Sequence, residues 1–435
     1  MEIRSVLRAL KYRNYKLFFS GQIISLIGTW MQQIALSWLV YSMTGSAFIL
    51  GVVGFSSQVP TFILAPFAGV LIDRWDKHKI IIITQTLFML IAFLFAFLIY
   101  SGLIQVWHII LLNILAGFIN GFDMPARQSF MIEIVEKRED LGNAIALNSS
   151  VFNAARLVGP SVAGLFIAAV GEAACFLING ISFIAVIIAL FAMKIKPFVP
   201  ADNKEKNVFA GLKEGANYTF GFQPIRSLIL LIALMSLWGM PYTVLMPVFA
   251  KDILHGGAHT LGFLMGAVGV GAFSGAIYLA SRKSVLGLGK LIVTAGILFG
   301  IGLILFSQSQ SIYFSLLFLT ITGASMMMQS ASCNTILQTI VDDKMRGRVM
   351  SFYTMSFAGM MPFGSLISGS MASALGAPET LTIGGIICII GGIIFAFQLK
   401  TIRKLVAPIY RKIGIIPEIA AAVQNTSNMR VPPEN

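Results

Sequence analysis

Charge is what this chain has least of. Only 11% of its 435 residues are Asp, Glu, Lys or Arg, and 18 acids face 31 Lys and Arg. Soluble domains carry about a quarter charged residues, so no ordinary soluble fold fits. The three cysteines, Cys175, Cys333 and Cys388, all lie in or beside apolar runs and form no disulfide framework. No His/Cys/Glu cluster has metal-ligand spacing, so no metal site is expected. No Gly-x-x-x-x-Gly-Lys-Ser/Thr run is present to cradle a nucleotide phosphate, which argues against ATP hydrolysis. No Gly-x-Ser-x-Gly elbow marks a hydrolase. No cofactor and no enzymatic activity are expected.

What the chain has instead is long apolar stretches, with 57% hydrophobic residues and a mean hydropathy of +0.84. A crossing needs roughly 20 apolar residues, and only a helix satisfies its own backbone in lipid without a partner strand. Spans are expected near 17–42, 47–72, 79–101, 105–125, 144–170, 174–193, 225–250, 259–280, 290–307, 311–338, 348–373 and 380–399. The net charge of +13 does not point to nucleic acid, because the cations fall in alternate gaps. Arg4, Arg8, Lys11, Arg13 and Lys16 precede the first span; Arg74, Lys77 and Lys79 follow the second; Lys194 and Lys196 open the longest gap. The opposite gaps hold essentially only Lys251. Lys and Arg are retained in short cytoplasmic loops, so both termini are expected in the cytoplasm. The first span, about 26 residues long, is too long for a cleavable signal.

The polar stretch 195–224 divides six spans from six. Gly142, Gly159, Gly164, Gly171 and Gly180 recur about 205 positions later as Gly347, Gly364, Gly369, Gly376 and Gly385. Earlier in each half the offset is about 208, pairing Trp30 with Trp238, Gly54 with Gly262 and Arg74 with Arg282. The expected fold is an all-α polytopic membrane protein with 12 transmembrane helices in two parallel six-helix repeats. Its boundaries are 1–194 for the first bundle, 195–224 for a cytoplasmic linker, 225–400 for the second bundle and 401–435 for a cytoplasmic tail. Leu405 to Ala422 reads as a surface segment.

Three motifs carry mechanism. The gap after the second span runs Gly69-Val-Leu71-Ile-Asp73-Arg74-Trp-Asp76-Lys77-His78-Lys79. The fourth span ends Asn120-Gly-Phe-Asp123-Met-Pro125-Ala-Arg127, where Pro125 suggests the helix is ending. Asp123 and Arg127, four apart, share a helix face. The fifth span holds Asn148, Asn153, Arg156, Gly159-Pro160 and Gly164, with Gly359-Met-Met-Pro362-Phe-Gly364 as its counterpart. A Gly-Pro pair kinks and thins a helix.

These residues, with Asn143-Ala144 and Leu212-Lys-Glu214-Gly215, resemble the major facilitator superfamily. Within it they resemble the third drug/proton antiporter family, which includes macrolide efflux pumps and the enterobactin exporter. The resemblance covers nearly the whole chain apart from the last 30 or so residues. It implies a conformational latch of Gly69, Asp73, Arg74, Asp123 and Arg127, holding an outward-facing state. It implies a gating helix built on Arg156, Gly159, Pro160 and Gly164, although several glycines of the antiporter motif are replaced here. The superfamily's first, fourth, seventh and tenth helices line its cavity. Here they offer Gln32, Gln33, Asn120, Trp238, Gln329 and Asn334, and Asn148 is added from the fifth. Gln22, Asn113 and Gln338 are further amides, and Met235, Met240 and Met326 are among the flexible apolar neighbours suited to a promiscuous surface. Arg156 is the most deeply placed cation, requiring an acid, a carbonyl or an anionic substrate, and Asp123 is the only acid expected within a span. The implied function is a secondary transporter exporting drugs, macrolides or a siderophore by alternating access, with protons as coupling ion. It would act as a monomer in the cytoplasmic membrane, with a small-molecule substrate and no nucleic acid. An importer, a uniporter or a lipid flippase on the same scaffold stands as the alternative.

Overall fold

A computed structural model of the chain describes residues 7–195, 208–282 and 284–415. Within its helices, the side chains at 65–67, 69–71, 73, 74, 138 and 208–212 lie outside that description. All regular structure among the described residues is helical. The first half holds α1 (Arg13–Thr44), α2 (Ala47–Arg74), α3 (Lys77–Tyr100), α4 (Val106–Ile134), α5 (Arg138–Val170) and α6 (Glu172–Phe191). The expected linker contains a helix of its own, α7 (Val208–Gly221). The second half holds α8 (Gln223–Leu234), α9 (Tyr242–Val248), α10 (Ala258–Ala280), α11 (Leu288–Ser307), α12 (Ile312–Ile340), α13 (Asp343–Phe357), α14 (Met361–Leu375) and α15 (Ala377–Lys412).

Local sequence sets several boundaries. Gly45, at φ 58°, ends α1, and Ser46 starts α2 by accepting a hydrogen bond from the Ile49 amide at 3.3 Å. Asp76 caps α3, its carboxylate accepting from the amides of His78 and Lys79 at 3.0 and 3.3 Å. Pro125 does not end the fourth span: α4 continues to Ile134. A proline removes one ladder hydrogen bond yet is tolerated within membrane helices, and the Asp123–Arg127 ion pair, 2.5 Å long, flanks Pro125 on either side. The last helix likewise runs on to Lys412 and absorbs the start of the expected surface segment, whose residues from 416 onward lie outside the described residues.

Among the described residues, eleven helical stretches are long and apolar enough to cross a membrane. The eleventh expected span, 348–373, is instead two shorter helices, α13 and α14, separated at Ala358–Met360 just before Pro362. Twelve crossings are consistent with this arrangement when α13 and α14 form one. The seventh span is also interrupted: π-helical turns at Met235–Gly239 and Phe249–Ile253 flank α9, which follows Pro241. By contrast α5 runs unbroken through Gly159-Pro160. The helix break that a Gly-Pro pair suggests therefore occurs only in the second-half counterpart.

In the first half α1 packs on α5 and α6, α2 on α4, and α3 on α4 and α6. In the second, α12 packs on α10 and α11, and α15 on α8, α11 and α14. The halves meet along two seams, α5 against α10 and α2 against α14. Each seam is a reciprocal glycine crossing. A Cβ on Gly164 would lie 2.6 Å from the Ala258 oxygen, and one on Gly262 would lie 2.7 Å from the Pro160 oxygen. On the other seam, a Cβ on Gly369 would lie 2.7 Å from the Ala47 oxygen, and one on Gly51 2.7 Å from the Ser365 oxygen. The partner of Gly262 in this symmetry is thus Gly51, three positions before the Gly54 that the sequence offset selects. Backbones this close are a means of joining helices in lipid, where burying apolar surface gives no drive.

Both seams lie at the helix ends next to Ala47, Val170, Ala258 and Leu375, the far end of the molecule. The α2 seam finishes at Phe62, whose ring abuts Gly359, and Phe363 packs edge-on against both Phe55 and Phe62. The α5 seam finishes where Leu157 and the Arg156 oxygen meet Gly269; beyond it, Gly271 and Gly275 of α10 face α12 instead. On the near side α13 packs against α7, α8 and α12, all outside the first bundle. Gly262→Val should force the far-end seam apart, an overpacking cost of about 1–3 kcal/mol. Spin labels at exposed Met43 and His255 should move apart by double electron–electron resonance, while Gly142→Ala, in open space, should leave them unchanged.

Candidate functional site

Along the cavity-lining helices, exposed residues separate into an apolar and a polar face. On α1, Ile24 and Ile27 are exposed on one side; Thr29 and Gln33 are exposed on another, between the α5-facing Trp30 and the α6-facing Gly28. On α4, Leu111, Leu115 and Phe118 form the outer apolar face, while Asn120 and Gln128 are exposed elsewhere. Two exposed faces of opposite polarity on one helix are what a lipid-facing side and a water-facing side require. Gln33 and Asn120 therefore sit on the polar side. Gln32 does not: its side-chain oxygen accepts from Asn179 of α6 at 2.7 Å, inside the first bundle. Asn148 is half-buried.

Asp123 is buried between α3 and α4 and fully satisfied. One carboxylate oxygen accepts from Thr84 at 2.5 Å and Gln85 at 2.9 Å, and the other pairs with Arg127. Nearby at the same end, Lys77 pairs with Glu133 at 2.6 Å. Gly69, Asp73 and Arg74 belong to the helical backbone of α2, but their side chains lie outside the described residues.

Sequence reasoning missed a second acid. Asp140, in the first turn of α5, has no exposed surface. It accepts from the Tyr12 hydroxyl at 2.6 Å and pairs with Lys11 at 2.7 Å and with Arg8. The Ala9 amide donates to Asn143 at 2.9 Å. The basic residues before the first span thus strap its start to α5. That hydrogen bond from Lys11 to Asp140 raises the Lys11 ammonium above its usual range. The signal was present as an acid one turn into a helix, aligned with its dipole. The linker motif is also explained: Glu214 pairs with Arg348 of α13 at 2.6 Å, and Gly215 lets α7 lie against Arg348 and Phe352.

In the second half the broken spans build a pocket. Met235, Ser236 and Met240 from the interrupted seventh span meet Phe299, Met326, Gln329 and Phe357 there. Ser236 donates to the Phe357 oxygen at 2.5 Å, using a carbonyl that the end of α13 leaves without a helical partner. The Gln329 amide nitrogen has no partner among the described residues. Three of the methionines and the glutamine expected to line a path are thereby brought together. Trp238, half-buried, turns its backbone oxygen toward Gly384, and Asn334 accepts from Gln338 at 2.9 Å.

On the gating helix, Gly159 allows close contact with Trp30 of α1, and Pro160 and Gly164 form the α10 crossing. Arg156 is half-buried, with no hydrogen bond or ion pair among the described residues. At the far end, the Tyr41 hydroxyl donates to Asp252 across the halves, and the Lys251 ammonium lies 5.6 Å from the Tyr41 ring centroid.

Removing one partner of a buried ion pair leaves an uncompensated charge. Asp123→Ala should therefore destabilise the protein by about 3 kcal/mol. The double variant Asp123→Leu/Arg127→Met should recover most of that loss, read as thermal midpoints of the purified protein.

Comparison with known proteins agrees with this architecture. A family model described as transmembrane secretion effector matches residues 4–429. The staphyloferrin A transporter of Staphylococcus aureus is 28% identical over 384 residues, covering 88% of this chain and 95% of that protein. The multidrug efflux pump Tap of Mycolicibacterium fortuitum is 24% identical over 379 residues, covering 86% and 92%. The macrolide efflux protein A of Streptococcus pyogenes is 24% identical over 421 residues, covering 91% and 99%. Among solved structures, a bacterial homologue of the human lysosomal transporter Spinster, inward-facing and unoccupied, superposes with a TM-score of 0.67 at 14% identity, covering 91% and 98%. A POT family transporter in complex with 5-aminolevulinic acid gives 0.69 at 12%, covering 90% and 96%. At such identities the likeness is one of fold. With its helices, its interrupted spans and these relatives, the chain belongs to the transmembrane secretion effector family of major facilitator transporters, as a multi-pass membrane protein that transports small molecules and is not an enzyme.

Proposed function

We propose that the protein exports amphipathic small molecules, of the drug, macrolide or siderophore kind, by alternating access coupled to proton antiport. The observation that carries this reading is the one-sided closure of the two halves. Glycine crossings seal the far end from Gly51 to Phe62 and from Gly164 to Leu157, while α13 stays with α7, α8 and α12 on the near side. The positive-inside pattern puts the near end in the cytoplasm, so this is an inward-facing state that loads from the cytoplasm. The bundles 1–194 and 225–400 rock as two bodies about a central path, each molecule acting alone. Relatives named for efflux support the outward direction of transport.

The substrate path runs from Gln33 and Asn120 past Asn148 and Arg156 to the methionine pocket around Gln329, bordered by Trp238 and Asn334. Gln32 shapes it from behind through Asn179. In the outward-facing state the near end closes, and the end of α2 at Gly69, Asp73 and Arg74 latches it together with Asp123 and Arg127. Asp123 is the proton carrier: protonation would release Arg127 and loosen that end.

The test is flux in proteoliposomes that trap a pH-sensitive dye under an imposed proton gradient. Macrolides and siderophores added on the cytoplasmic side should move against their gradient and drive proton movement in return. Asp123→Asn should abolish the pH dependence of transport; an unchanged pH profile in that variant rejects Asp123 as carrier. Asp73→Asn should slow transport without removing substrate binding, because losing a contact made only in the outward-facing state shifts the balance between the two states. Flux without any proton movement points to another coupling ion or a uniporter.

A further inference from the structure

We infer that Arg156 is the anchor for a carboxylate on the substrate, so that the transported class is amphipathic organic anions. The inference rests on the transport reading above but not on its direction or its coupling ion.

Arg156 stands 14 residues before Val170 on a helix of 33 residues, about 20 Å from the nearer helix end at 1.5 Å per residue. A cation at that depth is expensive unless a partner or water satisfies it. Its direction follows from its neighbours. Gly159 faces Trp30 of α1, and Leu157, Pro160 and Gly164 face α10. Val158, Leu165 and Phe166 are exposed on the opposite, lipid-facing side. At 100° per residue, Arg156 projects between α1 and α10 toward the interior between the halves. It lies where the α5–α10 seam ends, its carbonyl and Leu157 meeting Gly269.

Among the described residues, the acids placed nearest the spans are committed elsewhere. Asp123 is held by Arg127, Thr84 and Gln85; Asp140 by Arg8, Lys11 and Tyr12; Asp252 by Tyr41. A half-buried cation with no partner among the described residues is only partly hydrated, and an anionic ligand group can complete its solvation. Two features complete a receptor. One turn earlier on the same face, Phe152 packs edge-on to Trp30 at 6.1 Å between ring centroids, giving an aromatic wall. Across the seam, Tyr242 is fully buried, within electrostatic reach of Arg156, and its hydroxyl has no partner among the described residues. A guanidinium beside aromatic rings and a free hydroxyl fits a carboxylate on an apolar body.

The test uses a matched pair of probes, pyrenebutyrate and its neutral analogue pyrenebutanol, titrated into purified protein and read by tryptophan-to-pyrene energy transfer. The wild type should bind the acid about tenfold or more tightly relative to the alcohol, the ratio of one charge-assisted hydrogen bond. Arg156→Gln should bring the acid-to-alcohol ratio near one without weakening the alcohol, which also corrects for partition into detergent. Arg156→Lys should keep most of the preference, and Tyr242→Phe should lose part of it. The inference is wrong if the wild type shows no advantage for the acid, whether both probes bind or neither does, or if Arg156→Gln retains the advantage. The wild-type comparison needs no variant, so it decides the matter even where a variant misfolds. Acid preference without export would reject the exporter reading alone; export of neutral drugs without acid preference would reject this inference alone.

Discussion

The close approach of four glycine-bearing helices in two crossings is the constraint on which the rest depends. In lipid there is no apolar drive between apolar helices, so contact comes from van der Waals packing and weak Cα–H···O interactions at short backbone distances. Gly51, Gly164, Gly262 and Gly369 provide that approach, and each lies against the carbonyl four residues before its partner. Among the described residues the contact between halves holds few polar members, the Tyr41–Asp252 and Ser161–Gly262 hydrogen bonds among them. Such a contact separates without stranding many buried polar groups.

The repeat is not kept equally in both halves, and the departures coincide with the pocket. α5 continues through Gly159-Pro160, whereas its counterpart breaks between α13 and α14. The break lets α14 stay on α2 while α13 remains with the second half and carries the linker helix through Glu214–Arg348. The freed Phe357 carbonyl is taken by Ser236 of the π-turn, so two irregular spans satisfy each other at the wall of one cavity. Irregular backbone at membrane depth is tolerated where protein or a cavity surrounds it.

Ionic pairing divides the molecule further. Asp123, Asp140 and Glu133 have cationic partners near one end, and Asp252 has a hydroxyl partner near the other. Both groups of contacts cross-link helices where sliding would otherwise be cheap. The middle of the membrane is left to amides, thioethers, aromatic rings and the single cation Arg156 described there, a surface tolerant of varied apolar shapes.

Much of this was legible in the residues. Apolar length, the alternation of Lys and Arg, the polar stretch 195–224 and the glycine repeat report the fold class, because bilayer thickness and charge retention act on local sequence. Spacing alone also reports the Asp123–Arg127 pair, since four residues make one helical turn. Other features were decided only by tertiary structure. Pro125 does not end α4, and Gly51 replaces Gly54 in the crossing because the helices choose register by backbone fit. Asp140 is engaged by a strap more than a hundred residues away, and Gln32 turns toward Asn179 while Gln33 faces the open side. The sequence by itself determined which segments enter the membrane, for that is a sum over single residues. Which faces meet, and which charged group is left without a partner, depends on pairwise fit between distant segments, and only the folded structure decides it.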